Sequence, residues 1–510
     1  MVDTQARPET PSALHDLRGW LAAVEAAGEL RTIEAEVDPI EEMSAISYLV
    51  SRAENAPAVM FTNVRGGRHG VRSLFNLTGS SRTRLALALG LRENADLLGM
   101  VQELRLRLSR RIPPVVVATA DAPVNEVVVR GDDVDLYLFA PPKHWPYDGG
   151  QYIGTGDVVI TPDPDTGRLN VGTYRMMVHD RNHAGISLEP GKDAKIDLVR
   201  TWKRGQRMPV AAVVGLHPLW LALGAQKFPK DLSEYDAIGG VLGAPLELVA
   251  VGLDGILVPA ASEIVLEGYV ELNDARSEGP FGEFTGYYGT PVVDAPVMTV
   301  TAIHHRRNPI LTNALLAEYP ANETSLLGSV ARSAKLWDDL DRLGVPGIRG
   351  VWAVPAAANG KGMVVVSVEQ RYPGHAAQVL ALAAQAPATA YYTKWIIAVD
   401  DDVDPTNMND VISAMSTRCN PADDLDILRH TWGSRLDPSV NPDELRQSGS
   451  KVLVNACKEH RFMATFPKRM AVDRAVWERV AARWSGDLGL PGAAPRPWTF
   501  ADGERREGGA

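Results

Sequence analysis

The sequence predicts an α+β protein in which a partly closed antiparallel β-barrel follows an N-terminal α/β segment and precedes an α/β layer domain. The chain has 510 residues, more than one hydrophobic core usually supports. From about Val124, short β-rich runs are separated by Gly, Pro and Asp, and closure of the sheet is the usual protection for so many strand edges. After Thr324, strands alternate with helices, which indicates α/β layers.

The N-terminal segment, residues 1–123, is predicted to mix helices and strands. Apolar spacing places helices at 14–30, 41–53, 83–91 and 95–108, and strands at 31–37 and 59–63. The cluster Arg105, Arg107, Arg110 and Arg111 is interpreted as the solvated face and end of the last helix. Residues 1–12 and those from Gly503 onward are expected to fray.

Residues 124–322 are predicted to form the barrel. Its candidate strands lie in the runs NEVVVRG, GDVVITPDPDTGRLNVGTYRMMVH, PVAAVVG, PLELVAV and APVMTVTAI. The segment TPDPDTG predicts a tight turn, because Pro and Asp set turn dihedrals and Gly supplies a positive φ. A helix is expected as an insertion at 194–204.

The C-terminal part is predicted to comprise a linker helix at 323–345, an α/β domain at 346–470, and a last helix and tail at 471–510. Strands are expected at 348–354, 361–369 and 395–399, and helices at 374–384, 409–417 and 473–484. The acidic run at 400–404 is interpreted as a solvated loop rather than a metal site.

Composition and charge exclude several function classes. The net charge of -11 argues against a general nucleic-acid binder, which needs a positive surface. The two cysteines, Cys419 and Cys457, give no disulfide framework and favour a reducing compartment. Residues 1–11 lack the apolar core of a signal peptide, and no apolar run is long enough to cross a bilayer. We therefore expect a cytoplasmic protein that contacts neither nucleic acid nor membrane.

The stretch EGPFGEFTGYYG carries two acids, Glu278 and Glu283, on a turn too rich in Gly and Pro for a regular helix. Burial raises a carboxyl pKa and a neighbouring cation lowers it, so a buried pair beside an arginine can hold a proton ready for transfer. An exposed loop is the simpler explanation of the spacing alone. On the predicted strand LNVGTYRMMV, a bulge at Gly172 would bring Asn170 and Arg175 to one face.

These segments together resemble the UbiD family of decarboxylases, which use prenylated FMN. The resemblance rests on EGPFGEFTGY at 278–287, NVGTYR around Arg175, LSEYDAIGGVLG around Glu234, VPAASEIVLEG at 258–268, QRYPGHAAQVLALA at 370–383, YYTKWIIAVDDDVD at 391–404 and NDVISAMSTRCNPADD at 409–424. It covers about residues 15–485. It implies a split β-barrel flavin-binding domain followed by an α/β oligomerisation domain.

The resemblance assigns catalytic roles to Arg175, Glu278 and Glu283. Glu283 would protonate the carbon that loses CO2. Glu278 would control, through Arg175, how many protons the group of three residues holds. Loss of CO2 from an aromatic carbon needs an electron sink that no side chain supplies, and the modified flavin provides one.

The family holds the cofactor phosphate through a divalent metal, usually Mn2+, bound by Asn, His and Glu. Asn170 and Glu234 fill two of these positions, and Asp193 stands where the family has its His. An Asp oxygen suits Mn2+ or Mg2+. His179 and His183 are alternative ligands if the alignment slips, and a K+ ion is a further candidate.

Further cofactor contacts are expected from Thr173 and Tyr174, and from the loop Gly224, Ala225, Gln226 and Lys227. Lys394 would lie near the flavin phosphate or simply at a strand edge. Thr324 borders the substrate pocket or only caps a helix. Beyond Lys394, no chemical group is expected from the C-terminal half.

The expected reaction is the reversible, non-oxidative decarboxylation of an aromatic or heteroaromatic acid. An FMN-dependent oxidoreductase and a non-catalytic flavin-binding protein are the alternatives. The side chains Phe281, Phe284 and Tyr287 fit a flat guest or the core. Phenazine-1-carboxylate and protocatechuate both stay open as substrates, as do cycloaddition and single-bond addition to the cofactor. The expected partners are a flavin prenyltransferase, which supplies the cofactor, and further copies of the chain in a homodimer or higher assembly.

Overall fold

The computed structural model describes residues 15–91, 95–228, 232–252, 254–440, 448–468 and 470–489; the two predicted frayed ends fall largely outside these ranges. The N-terminal elements are α1 Leu17–Ala26, β1 Leu30–Ile33, α2 Glu42–Ser51, β2 Ala58–Phe61, β3 Arg72–Phe75, α3 Arg82–Ala88 and α4 Leu97–Leu108. The predicted helices and strands of this segment are confirmed, whereas β3 was not predicted. This strand has only four residues, of which the last three are buried, so no alternation marks it.

The central part contains most of the strands. In chain order its elements are β4 Val115–Val116, β5 Val127–Arg130, β6 Tyr152–Gly154, β7 Asp157–Pro162, β8 Leu169–Gly172, β9 Met176–Asp180, β10 His183–Ile186, α5 Asp193–Lys203, β11 Met208–Val214, α6 Leu219–Gly224, α7 Glu234–Leu242, β12 Glu247–Val251, β13 Ile256–Pro259, β14 Ile264–Glu278, β15 Phe281–Gly282, β16 Tyr288–Gly289, β17 Val292–His305 and β18 Ile310–Thr312.

A nine-stranded sheet forms the barrel. Its order is β6-β9-β10-β17-β14-β11-β7-β8, and β5 pairs with β17. The predicted turn between β7 and β8 is confirmed, with Thr161 opposite Asn170. Six strands of the central part lie outside the barrel sheet: β4, β12 and β13 form a separate sheet, β15 pairs with β16, and β18 pairs in parallel with β3. The prediction that the run PLELVAV forms a barrel strand is therefore wrong.

The segment predicted as one strand with a bulge is two strands. β8 ends at Gly172 and β9 begins at Met176, and these strands lie far apart in the sheet order. Arg175 thus lies in a crossing segment, residues 173–175, rather than on a strand. Gly172 is required at this crossing because a Cβ there would lie 2.4 Å from the Tyr174 ring.

The C-terminal part is an α/β layer as predicted. Its elements are α8 Ser325–Arg342, β19 Ile348–Ala353, β20 Met363–Val368, α9 His375–Gln385, β21 Trp395–Asp400, α10 Met408–Arg418, β22 Leu425–Trp432, β23 Ser448–Ala456 and α11 Arg474–Trp484. The sheet order is β19-β20-β21-β23-β22. β22 and β23 were not predicted, because charged and polar residues interrupt their apolar patterns.

The arginines of α4 are not simply solvated. Arg105 lies over the Trp337 ring at 4.5 Å and ion-pairs with Asp341, both on α8. Arg107 pairs with Glu103 at 2.8 Å. The prediction was wrong for these two side chains because α4 packs against both α8 and α7. Arg105 contacts α8, whereas Arg107 also donates to the backbone carbonyls of Leu89 and Val241.

The acidic run after β21 is also more ordered than predicted. Asp400 is buried, and Arg418 donates to Asp400 at 2.8 Å and contacts Asp402 at 2.6 Å. Lys458 adds a contact to Asp402 at 2.9 Å. These carboxylates therefore form a structural ion-pair network with cations from α10 and the segment after β23.

Short 3-10 helices occupy Thr119–Asp121, Pro123–Glu126, Gly131–Asp133, Leu136–Phe139 and His460–Phe462. The largest core cluster is continuous from α4 through α6 and α7 to the C-terminal sheet. α8 lies within this core and places its buried face beside the barrel. Among the described helices, none combines the length and apolar character that crossing a bilayer requires.

Candidate active site

Three charged side chains meet in a cleft between the barrel and α8. Arg175 donates through Nε to Glu278 Oε1 at 2.7 Å and through Nη2 to Oε2 at 2.9 Å. Its Nη1 contacts Glu283 Oε1. Glu278 is 0% and Glu283 3% exposed. The structure therefore brings together the three residues that the sequence predicted, through a crossing segment rather than a bulge.

The turn that carries the acids is fixed by close packing. Glu278 is the last residue of β14, and Glu283 follows β15 directly. Gly282 has to lack a side chain, because a Cβ there would lie 2.2 Å from Trp145 Cδ1. The Gly282 N–H donates to Asp148 Oδ1 at 2.9 Å, which ties the turn to the loop before β6.

The two acids have unequal surroundings. Burial alone would lower the pKa of Arg175, but attraction and hydrogen bonding to Glu278 outweigh it and raise that pKa. The hydroxyl of Tyr152 also donates to Glu278 Oε1 at 3.1 Å, so Glu278 accepts three hydrogen bonds. Glu283 lines the cleft, and Glu278 is not among the described lining residues. Glu283 is therefore the acid that a bound molecule would meet.

The cleft in front of Glu283 has about 1300 Å³ of empty space, open solvent included. Its apolar lining includes Leu221, Phe281, Phe284, Leu316, Leu327 and Leu436. A flat ring system fits walls of this kind, since small-molecule sites are mostly apolar with a few placed polar groups. Of the three predicted aromatics, Tyr287 is 64% exposed and lies outside this lining.

The predicted metal ligands lie together in an adjoining cleft of about 690 Å³, open solvent included. Asn170 belongs to β8, Asp193 begins α5 and Glu234 begins α7. The side-chain amide of Asn170 donates to Thr161 Oγ1 at 3.3 Å, which leaves its oxygen available. Within the described ranges, no group of three or more His, Cys, Asp and Glu side chains could hold a metal. A metal site in this cleft would therefore need the side-chain oxygen of Asn170 in addition to the two carboxylates.

Glu234 is buried with an incomplete charge balance. Burial raises its pKa to about 7, although Arg168 opposes the shift from 3.2 Å. The alternative ligands His179 and His183 lie elsewhere, on β9 and β10, and His183 contacts Asp180 at 2.7 Å. The structure does not bring either histidine to this cleft.

Three cations also line this second cleft. They are Lys192, Lys227 and Arg332. Among the described residues, none of them has a carboxylate within ion-pair distance; Lys192 and Lys227 instead lie 4.9 Å and 5.4 Å from the rings of Tyr391 and Trp432. Burial lowers the pKa of Arg332 to about 10. Three cations without a carboxylate partner, of which Arg332 is buried, suit a phosphate bridged by a divalent metal when two carboxylates lie beside them.

The predicted flavin-lining residues border one or both clefts. Thr173, Tyr174, Ala225 and Gln226 line both, and Gly224 lines the second. Lys394 lines neither; its Nζ donates to Asp437 Oδ1 at 2.7 Å and to Ser439 at 2.9 Å. The predicted place of Lys394 beside a phosphate is therefore not found, because Asp437 holds its ammonium.

The expectation that the C-terminal half adds no other chemical group was wrong. Arg332, Asn359, Lys361 and Tyr391 line the first cleft, together with Thr324. Lys361 Nζ lies 3.6 Å from the centroid of the Phe284 ring, and burial lowers the pKa of Lys361 to about 7. Arg332, a charged residue that directly follows the buried Val330 and Ala331 of α8, is the sequence signal that could have revealed this side of the cleft.

Three family models match the chain, described as the N-terminal, Rift-related and C-terminal domains of 3-octaprenyl-4-hydroxybenzoate carboxy-lyase, at residues 21–104, 115–319 and 325–456. A phenolic acid decarboxylase of Sedimentibacter hydroxybenzoicus is 33% identical over 450 residues, 86% of this chain and 91% of that protein. One of Streptomyces sp. (strain D7) is 34% identical over 451 residues, 87% and 92% of the two chains. The chain belongs to the UbiD family.

Solved structures agree with this assignment. Vanillic acid decarboxylase of Sedimentibacter hydroxybenzoicus in its closed form has a TM-score of 0.83 at 30% identity, covering 94% of this chain and 99% of that one. A UbiD-class enzyme of Pelotomaculum thermopropionicum in complex with FMN has a TM-score of 0.78 at 29% identity, covering 90% and 97%. The fold is thus a flavin-binding split barrel followed by an α/β domain, as predicted.

Proposed function

We propose that the protein catalyses the reversible, non-oxidative decarboxylation of a phenolic or related aromatic carboxylic acid with prenylated FMN. The observation that carries this proposal is the buried set of Glu278, Arg175 and Glu283 at the end of an apolar cleft. Hydride transfer, the chemistry of the alternative oxidoreductase, has no need of a buried acid pair. The relatives favour a hydroxylated benzoic acid over a fused polycyclic acid.

Each member of the set has a role that follows from its contacts. Glu283 lines the cleft and would deliver the proton to the ring carbon that loses CO2. Arg175 holds Glu283 in place and keeps a positive charge beside it. Glu278, which accepts three hydrogen bonds, would fix the orientation of Arg175 and favour its charged form.

The residues present fit the cofactor. Asn170, Asp193 and Glu234 would bind Mn2+ or Mg2+, and Lys192, Lys227 and Arg332 would neutralise the phosphate. Thr173, Tyr174, Gly224, Ala225 and Gln226 would line the ring system. When bound, prenylated FMN supplies the electron sink for carbon–carbon bond cleavage. A K+ ion has no assigned ligands in this proposal.

We further propose that the chain forms a homodimer or a higher assembly of dimers. The exposed side chains of α11 include Val476, Val480 and Trp484, which are 37%, 43% and 42% exposed. A surface of this kind is typical of a helix that packs on another subunit. Light scattering at micromolar concentration should give at least twice the 55.2 kDa mass of the chain.

The test of function is a substrate panel on protein produced together with a flavin prenyltransferase, which is the proposed source of the cofactor. Vanillate, protocatechuate, 4-hydroxybenzoate and phenazine-1-carboxylate would be assayed for CO2 release and for NAD(P)H consumption. We expect CO2 release from at least one phenolic acid, no nicotinamide consumption, and bicarbonate incorporation in the reverse direction. Nicotinamide consumption without CO2 would establish the oxidoreductase instead, and a bound flavin with no turnover would favour a binding protein.

A further inference from the structure

Another acid, Asp157, lines the same cleft as Glu283 and has no part in the mechanism above. It is the first residue of β7 and pairs with Val214 of β11, so its backbone is fixed by the barrel. Its side chain is 1% exposed, yet it borders the cleft together with Arg175 and Glu283. A buried acid in this position meets whatever fills the cleft.

The carboxyl of Asp157 is incompletely satisfied. In the described part of the chain, Oδ2 has no hydrogen-bond partner and no cation lies within ion-pair distance of the group. A hydrogen bond from its own backbone N–H opposes burial only in part, and burial raises the pKa of Asp157 well above its usual range. A buried carboxyl with no cation beside it and with an unpartnered oxygen favours its protonated form, and in that form it carries an O–H donor.

The surroundings leave room for this carboxyl and give it an apolar frame. Asp157 Oδ2 lies only 2.7 Å from the position that a Cβ of residue 154 would occupy, so Gly154 provides its space. Leu221, Ala222, Ala314 and Leu316 also line the cleft. A polar donor placed beside apolar side chains is the pattern by which small-molecule sites orient a ligand.

The acids of the cleft differ in what they can offer. Glu283 is tied to Arg175, whereas Asp157 has no cation within ion-pair distance among the described residues and, in its protonated form, offers an O–H donor. An unpaired buried polar group is costly, and a ligand oxygen that accepts its O–H would remove that cost. The same donor would discriminate against a ligand that lacks the oxygen.

We propose that Asp157 donates a hydrogen bond to an oxygen on the aromatic ring system bound in the cleft, and so selects for oxygenated rings. This inference rests on the proposed function for the identity of the ring system. The oxygen belongs either to the hydroxyl of a phenolic acid or to a carbonyl of the flavin. The chemistry at Asp157 is the same for both sources, and two arms of one experiment separate them.

The experiment compares wild type with Asp157→Asn, which keeps an N–H donor, and Asp157→Ala, which removes it. In the first arm, FMN affinity is measured by quenching of flavin fluorescence, which requires no turnover. In the second, the holoenzyme is assayed for KM and kcat on 4-hydroxybenzoate and benzoate, with binding of both acids measured by their effect on the flavin absorbance. Asp132→Ala, at an exposed aspartate, is the control.

We expect Asp157→Ala to lose about 10-fold in affinity in one arm and Asp157→Asn to retain most of it, since one hydrogen bond contributes about this factor. Loss of preference for the hydroxylated acid, with FMN affinity unchanged, identifies the substrate oxygen. Loss of FMN affinity identifies the flavin carbonyl. Wild-type behaviour of Asp157→Ala in both arms overturns the proposal. The binding of FMN and of the two acids is measured without CO2 release. An absence of decarboxylation would therefore contradict the proposed function, and the binding measurements on the Asp157 variants could still be interpreted.

Discussion

Asn170 lies on β8 and Arg175 lies five residues later in the crossing between β8 and β9, yet they serve parts of the site with different electrostatics. Around Arg175, each acid is paired with the same guanidinium, and Tyr152 completes the bonding of Glu278. Around Asn170, Glu234 is balanced by Arg168 alone among the described residues, at 3.2 Å, and burial raises its pKa to about 7.

This difference indicates separate roles for two parts of the site, the acid end (Glu278, Arg175 and Glu283) and the metal end (Asn170, Asp193 and Glu234). The acid end is organised by the chain itself, so its geometry is set before any molecule binds. The metal end brings two carboxylates and three cations together without pairing them with one another, which is the arrangement that a metal and a phosphate would complete. Substitutions at the first end should therefore act on turnover, and those at the second on cofactor binding.

The largest expected effect is that of Glu283→Gln. Glutamine keeps the volume and a contact to Arg175 but cannot donate the proton, so the rate of decarboxylation should fall about 100-fold to 10,000-fold. Flavin and metal content should stay at the wild-type level. The measurements are CO2 release, solvent-deuterium incorporation and the flavin spectrum, with Glu34→Gln as an exposed control. Deuterium exchange at the wild-type rate would show that another group is the donor.

A smaller effect is expected from Asp193→Ala at the metal end. Loss of one carboxylate ligand should weaken Mn2+ binding and raise the dissociation constant of FMN about 10-fold to 100-fold. The readouts are metal content by elemental analysis and flavin fluorescence with and without Mn2+. Asp193→His should restore binding, because histidine is the family's residue there. Unchanged metal content in Asp193→Ala would contradict the assignment of Asp193 as a ligand. It would also contradict the conclusion that substitutions at the metal end act on cofactor binding.

A third effect, on stability rather than on turnover or cofactor binding, concerns Glu323, a buried acid that lines neither cleft. Like Glu234 it has a pKa that burial raises to about 7, but its carboxylate accepts from the backbone N–H groups of Leu77 and Thr78, at 2.7 and 2.9 Å. A raised carboxyl pKa gives a stability contribution that is complete below the ordinary value of 4.5 and is lost as the pH rises through 7.

Relative to Glu323→Gln, wild type should therefore lose about 3 kcal/mol of unfolding free energy between pH 4.5 and pH 8. Chemical unfolding at pH 5 and pH 8 measures this difference, and Glu34→Gln should show no such change. A pH-independent difference between wild type and Glu323→Gln would show that the hydrogen bonds from Leu77 and Thr78 keep the carboxylate ionised. Burial alone would then not explain the raised pKa of Glu234 either.

Local patterns were sufficient for most elements of the fold. Apolar periodicity predicts helices such as α8 and α9, and the Pro, Asp and Gly residues between β7 and β8 predict the turn there. Short strands such as β3, and the polar edge strand β22, have too little alternation of apolar and polar residues to be predicted. The partner of β12 could not be predicted, because strand pairing depends on long-range packing rather than on the strand's own residues.

The candidate site divides in the same way. The sequence by itself determined which chemical groups are available: two acids on one turn, an arginine within NVGTYR, and Asn170, Asp193 and Glu234 in segments that resemble a metal-binding family. Only the tertiary structure decided that Arg175 lies in a crossing between distant strands, that Lys394 is held away by Asp437, and that Arg332 and Lys361 reach the cleft. The physical reason is that a side chain's identity is local, whereas its neighbours, which determine its charge and its hydrogen bonds, lie tens to more than a hundred residues away in the chain.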